Sequence, residues 1–112
     1  MRTISRNDLR SVLADVTVVD ALPAAPYQVR HLPGALNLVI EDVDGQAAQL
    51  LPDRNAEIVT YSTDSACGRG EALGERLEQL GYANLRVYRD GIEDWVGAGL
   101  PVEADESGQP VG

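Results

Sequence analysis

EIVTYSTDSACGRGEAL, residues 57–73, runs from a short apolar segment through a small, polar, glycine-bearing stretch into a helical pattern. Ile58, Val59 and Tyr61 suit a buried strand, whereas Leu73, Leu77 and Leu80 recur at helical spacing. Every residue from Ser62 to Gly70 is small or polar apart from Arg69. The order is strand, loop, helix, and a loop of that composition can wrap a ligand. Its backbone N–H groups converge near a helix N-terminus, where partial positive charge favours a bound or covalent anion. The chain's only cysteine, Cys67, lies inside this loop.

Outward from this unit the chain repeats the same alternation. Gly81 follows Leu80 as a helix C-cap, Leu85 to Tyr88 supplies another strand, and Gly91 opens a short helix carrying Trp95, read as core packing. Upstream, Ser5 followed by Asp8 forms an N-terminal cap for a helix whose stripe is Leu9, Val12 and Leu13. Val16 to Asp20 is a buried strand that ends in an acid. Residues 21–34 hold three prolines and a glycine, which predict a long ordered loop, or a brief turn starting at Tyr27. Ala35 to Val39 then forms a short strand, and Glu41 to Leu51 a helix with face Val43, Ala47 and Leu50, stopped by Pro52 and weakened by Gly45. Strands alternating with helices predict an α/β fold whose mainly parallel sheet is covered on both faces. Ligands are expected beyond the strands' carboxyl ends, where the central loop lies.

At 112 residues the chain fits one domain, placed at 1–102, with a flexible acidic tail at 103–112, EADESGQPVG. Aromatics are scarce, with four Tyr, one Trp and no Phe, so aliphatic side chains must fill the core. The net charge is −9 and every basic residue is Arg, which argues against nucleic-acid binding, since that needs a cationic face. A lone cysteine cannot form an internal disulfide, and MRTISRNDLR contains no apolar run like a signal peptide, so a cytoplasmic protein is expected. No stretch approaches the roughly 18–20 apolar residues of a membrane span, so no membrane partner is expected. One His and one Cys make no metal cluster, and neither metal nor cofactor is expected.

Three separated motifs resemble the rhodanese-like, or sulfurtransferase, family, from about Ile4 to Val102. VVDALPAAPYQVRHLPGALNL, residues 18–38, is similar to the family's Asp-x-Arg strand end, its Tyr and its His-Ile-Pro-Gly-Ala-x-Asn turn, through Asp20, Tyr27, His31, Pro33, Gly34, Ala35 and Asn37. VTYS, residues 59–62, with the loop behind it, resembles the active-site loop. DGIEDWVGAGLPV, residues 90–102, resembles the closing Gly-x-x-x-Trp-x-x-x-Gly-Leu-Pro signature through Gly91, Trp95, Gly99, Leu100 and Pro101.

The resemblance implies about five parallel strands between helices, and a cysteine that takes sulfur from thiosulfate or a persulfide and hands it to a thiol, a protein acceptor or a cyanide-like nucleophile. That chemistry needs a thiolate, favoured by a helix N-terminus and nearby Arg, with backbone donors for the anionic persulfide. Two positions depart from the family pattern. Ser62 stands where the nucleophile normally follows the strand's aromatic residue, and a protonated hydroxyl is poorly matched to soft sulfur. Leu22 stands where an Arg usually ties the loop to Asp20. The loop is also about two residues longer than the commonest form, and some relatives carry cysteines at both places.

The expected site is therefore Cys67 as catalyst, with Ser62, Thr63, Asp64, Ser65, Ala66, Gly68 and Arg69 forming the substrate- or anion-binding loop. Asp20, His31 and Trp95 are its structural support, His31 buttressing the turn before Pro33. Related phosphatases place five residues between Cys and Arg; Cys67 and Arg69 have one between them, which argues against that chemistry. The expected function is a sulfurtransferase working through a Cys67 persulfide. The alternative is a catalytically inactive module that binds an anion or a partner protein in the same loop. Five extended residues span about 17 Å, so whether Ser62 and Cys67 share one pocket depends on how the loop curls.

Overall fold

Residues 1–104 are described by a computed structural model, and residues 105–112 of the tail expected over 103–112 lie outside the described residues. Five strands, Arg2–Thr3 (β1), Thr17–Asp20 (β2), Leu36–Asn37 (β3), Glu57–Tyr61 (β4) and Asn84–Tyr88 (β5), form one sheet in the order β1-β5-β4-β2-β3. All four pairings are parallel, and β4 lies in the middle, with Thr60 beside Val19 and Val87, and Tyr61 beside Asp20 and Tyr88. The connecting helices are Arg6–Val12 (α1), Ala24–Val29 (α2), Val43–Leu50 (α3), Arg69–Gln79 (α4) and Gly91–Gly97 (α5).

The two-residue alternation of β4 divides the core. Ile58 joins Val43 and Ala47 of α3 and Leu73 and Leu77 of α4 on one face, while Val59 and Tyr61 join Leu9 of α1 and Ile92 and Trp95 of α5 on the other. Both faces are thus covered, as expected for an α/β sheet of parallel strands. No helix among the described residues is long and apolar enough to cross a membrane.

Three elements differ from the sequence reading. Residues 24–29 are helical although 21–34 holds three prolines. Pro23 is the N-cap and Pro26 falls in the first turn, where backbone N–H groups have no intrahelical acceptor and the proline ring meets no earlier carbonyl. The third strand is only Leu36–Asn37, shorter than Ala35 to Val39. β1 had no sequence signal, because Arg2 and Thr3 are both exposed and owe their extended form to pairing with Arg86 and Val87. At the other end, Glu103 belongs to the folded part: it forms an antiparallel bridge with His31, and its carboxylate accepts from the Gly34 amide at 2.8 Å.

Two glycines press the central loop against its surroundings. A Cβ on Gly70 would lie 2.9 Å from the backbone of Tyr61, so the start of α4 packs directly on the end of β4. Gly91 has φ 71°, and a Cβ there would lie 2.5 Å from the Thr63 carbonyl. That close approach lets the first amides of α5 cap the loop: Ile92 N donates to Ser62 O and Glu93 N to Thr63 O, each at 2.9 Å.

Candidate active site

Beyond Tyr61 the chain leaves the sheet and curls. Asp64 drives the curl, its Oδ1 accepting from Ala66 N at 3.0 Å and Cys67 N at 3.2 Å, while its carbonyl accepts from Cys67 N at 3.1 Å. The turn returns Cys67 to the end of β4, where the Ser62 hydroxyl donates to the Cys67 carbonyl at 3.1 Å. Ser62 and Cys67, five residues apart, therefore share one pocket. It is a cavity of about 100 Å³ whose walls include Ser62, Ser65, Cys67, Glu71, Tyr88 and Arg89.

Cys67 is half-buried and its thiol is free. Burial pushes its pKa up, but hydrogen bonds from the Ser62 hydroxyl, the Arg69 and Thr63 backbone amides and the Thr63 hydroxyl outweigh that, leaving the thiol below its ordinary value. Ser62 has one hydroxyl proton, so it serves either the Cys67 carbonyl or the sulfur at any instant. A ring of donors around sulfur stabilises a thiolate, and equally the terminal sulfur anion of a persulfide.

The remaining loop residues divide by role. Ala66 and Gly68 line the cavity with Ser65, Asp64 shapes the turn, and Thr63 faces the thiol while its carbonyl is held by α5. Arg69 requires a correction. Its backbone amide serves Cys67, but its guanidinium points elsewhere, donating from Nε to Ala21 O at 3.0 Å and pairing with Glu41 at 2.7 Å. The positive charge at a helix start is compensated by Glu41, whose carboxyl it holds below the usual range, rather than by an anion in the cavity.

Behind the loop, Asp20 is fully buried but not unpartnered despite Leu22 in the usual Arg position. Its Oδ2 accepts from the Tyr61 hydroxyl at 2.6 Å and its Oδ1 from the Leu22 amide at 2.8 Å, while Tyr61 Oη accepts from Leu32 N at 3.0 Å. Burial raises the Asp20 carboxyl, and burial with the Asp20 charge raises the Tyr61 phenol. The network ties the ends of β2 and β4 to the turn at Leu32. His31 stacks on Tyr27 with ring centroids 4.0 Å apart and places Nδ1 2.8 Å from the Tyr27 carbonyl, away from the cavity. Trp95 is buried, donates from Nε1 to Pro101 O at 2.8 Å and meets Tyr88 edge-on.

The sequence reading missed Glu71 and Arg89. Arg89 immediately follows β5, the neighbour of β4 in a parallel sheet, so its place at the strands' carboxyl ends was the available signal. Among the described residues no group of three or more His, Cys, Asp or Glu could hold a metal ion.

Comparison with known proteins agrees with this architecture. Residues 5–98 match the family described as the rhodanese-like domain. The chain is 35% identical over 112 residues to an HTH-type transcriptional regulator of Mycobacterium tuberculosis, an alignment covering 97% of this chain and 46% of that protein. It is 28% identical over 79 residues to the thiosulfate sulfurtransferase PspE of Escherichia coli, covering 68% of this chain and 70% of that one. The chain thus spans about half the length of the regulator. A crystal structure of a rhodanese-related protein from Thermoplasma volcanium superposes with a TM-score of 0.79 at 24% identity, over 92% of this chain and 98% of that one.

Proposed function

The chain belongs to the rhodanese-like domain family, and from that premise we propose that it is a sulfurtransferase carrying sulfane sulfur on Cys67. The observation that carries this reading is the place of the chain's only thiol, beside Ser62 in a cavity at the carboxyl end of the central strand, where the surrounding donors favour a lowered pKa. The Cys67 thiolate attacks the outer sulfur of thiosulfate; a Cys67–sulfur bond forms, the sulfur–sulfur bond of the donor breaks, and sulfite leaves with the electron pair. A persulfide donor reacts in the same way and releases its thiolate. The nucleophilic acceptor then takes the outer sulfur and returns Cys67 as thiolate. Charge balances in both steps and no external oxidant is needed. A reducing compartment such as the cytoplasm keeps such a lone thiol available.

Ser62 takes the family's usual nucleophile position in this reading, and its hydroxyl supports the sulfur rather than attacking it. The test is incubation with thiosulfate, reading one added sulfur by intact mass and thiocyanate on adding cyanide. Cys67→Ala abolishes loading, Ser62→Ala still loads, and Ser62→Cys turns over faster. No loading of the parent with gain of activity only in Ser62→Cys refutes the reading.

One observation favours a second reading. The relative at 35% identity is a transcriptional regulator more than twice this chain's span, which suits a catalytically inactive module whose occupied loop signals to a partner protein. In that case the parent binds an anion or a protein without turning over thiosulfate.

A further inference from the structure

Arg89 stands between two hollows. It lines the Cys67 cavity, and it also lines a larger groove of about 450 Å³ bounded by Thr3, Ile4, Ser5, Ser65 and Asp90. Ser65 and Arg89 are common to both, so the groove adjoins the thiol's cavity at these two residues. A volume of that size suits a small organic molecule.

The groove is lined by one charged residue of each sign, Arg89 and Asp90. Arg89 Nε lies 3.6 Å from Glu71 Oε1, and both side chains are about half exposed. The pairs made by Arg6, Arg69, Arg76 and Arg86 are closer, at 2.7–3.2 Å. Arg69 holds its guanidinium on Ala21 and Glu41, so Arg89 is the loosely held cation beside the thiol. On a chain of net charge −9, that cation locally offsets the repulsion of an anion. The next residue, Asp90, is an acid that lines the same groove.

We propose that this groove binds the sulfur acceptor, a small amino-acid or short-peptide thiol whose carboxylate pairs with Arg89 and whose ammonium pairs with Asp90. The assignment rests on the sulfurtransferase reading above. The acceptor's thiolate attacks the outer sulfur of the Cys67 persulfide and forms a new sulfur–sulfur bond. The bond between that sulfur and Cys67 Sγ breaks, and its electron pair restores the Cys67 thiolate. Arg89 and Asp90 are positioning residues: they select and aim the acceptor without touching the reacting sulfur.

Protein preloaded with inorganic polysulfide, which bypasses the donor step, is mixed in single turnover with cysteine, 3-mercaptopropionate or cysteamine, and loss of the added sulfur is followed by mass. Taking each variant's rate relative to the parent cancels the intrinsic reactivity of each thiol. Arg89→Ala slows transfer to the two carboxylated thiols about fivefold more than transfer to cysteamine at low salt, the scale of one exposed ion pair. Asp90→Ala does the converse, slowing the two amines relative to 3-mercaptopropionate. Both contrasts shrink at high salt. Equal slowing of all three thiols, or no change in any, overturns the acceptor site while leaving the sulfur-carrying role of Cys67 standing. A parent protein that takes up no sulfur from polysulfide overturns both.

Discussion

Removing the Ser62 hydroxyl isolates its work on the Cys67 sulfur. Ser62→Ala deletes one of the donors that hold the thiol below its ordinary pKa. A hydrogen bond to a charged group is worth about 1.5–3 kcal/mol. Cys67 is only half-buried, so water replaces part of it and a net loss of about 1 kcal/mol remains. That energy is a factor of about five in the thiol–thiolate equilibrium. Below the midpoint the thiolate fraction therefore falls about fivefold. The less stabilised thiolate is a better nucleophile by about twofold, given a Brønsted slope near 0.4–0.5. The two effects combine so that, at pH values below both midpoints, Ser62→Ala reacts about two to three times more slowly with an aromatic disulfide. In alkaline solution, where both proteins are fully ionised, it reacts about twice as fast. Stopped-flow absorbance across the pH range reads this directly, because Cys67 is the only thiol in the chain. The two profiles must cross. Superposed profiles, or a parallel decrease at every pH, refute donation from Ser62 to the sulfur and leave only an effect on access.

Gly91→Ala forces a side chain onto a φ of 71° and within 2.5 Å of the Thr63 carbonyl, so it should destabilise by about 2–4 kcal/mol in urea melts and displace the cap that α5 places on the loop. Loss of stability with an unaltered Cys67 pH profile would show that the cap does not shape the thiol's surroundings. Asp20 gives a pH-dependent stability. Its pKa is raised in the folded state by burial, so the folded protein holds this proton more strongly than the unfolded chain. The contribution is full below the ordinary carboxylate range of about 4 and is lost as pH rises towards the folded value. Asp20→Asn removes that slope, and its urea midpoint relative to the parent should improve as pH climbs through the window; a constant difference would contradict it. Arg69→Ala should weaken folding by about 1 kcal/mol through the lost bond to Ala21 O, while the Cys67 profile stays within about twofold, since the backbone amide rather than the guanidinium faces the sulfur.

What could be read from the chain divides by the range of the interactions that decide each feature. The strand at Ile58 to Tyr61 and the helix carrying Leu73 and Leu77 are written in local periodicity, and the fold class follows from repeating that unit. Ser5 was legible as a cap for the same reason, since its acceptor contact with Asp8 N spans three residues. Pro26 was not, because a proline in a first turn and a proline in a loop look alike until the conformation of Pro23 before it is fixed. β1 is extended only because β5 lies beside it, more than eighty residues away. The site shows the same division at higher stakes. Every atom that curls the loop through Asp64 is local, but the capping amides of Ile92 and Glu93 come from α5, and together they bring Ser62 and Thr63 against the Cys67 sulfur. A cation at the start of a helix opposes the helix dipole and needs a negative partner, but local sequence does not distinguish a bound anion from Glu41, twenty-eight residues upstream. The same parallel topology that turned Arg69 away brought Arg89 to the cavity from the end of β5. In such a sheet the cation that faces the reactive loop is found by asking which strand lies next to it, not which residue follows it in sequence.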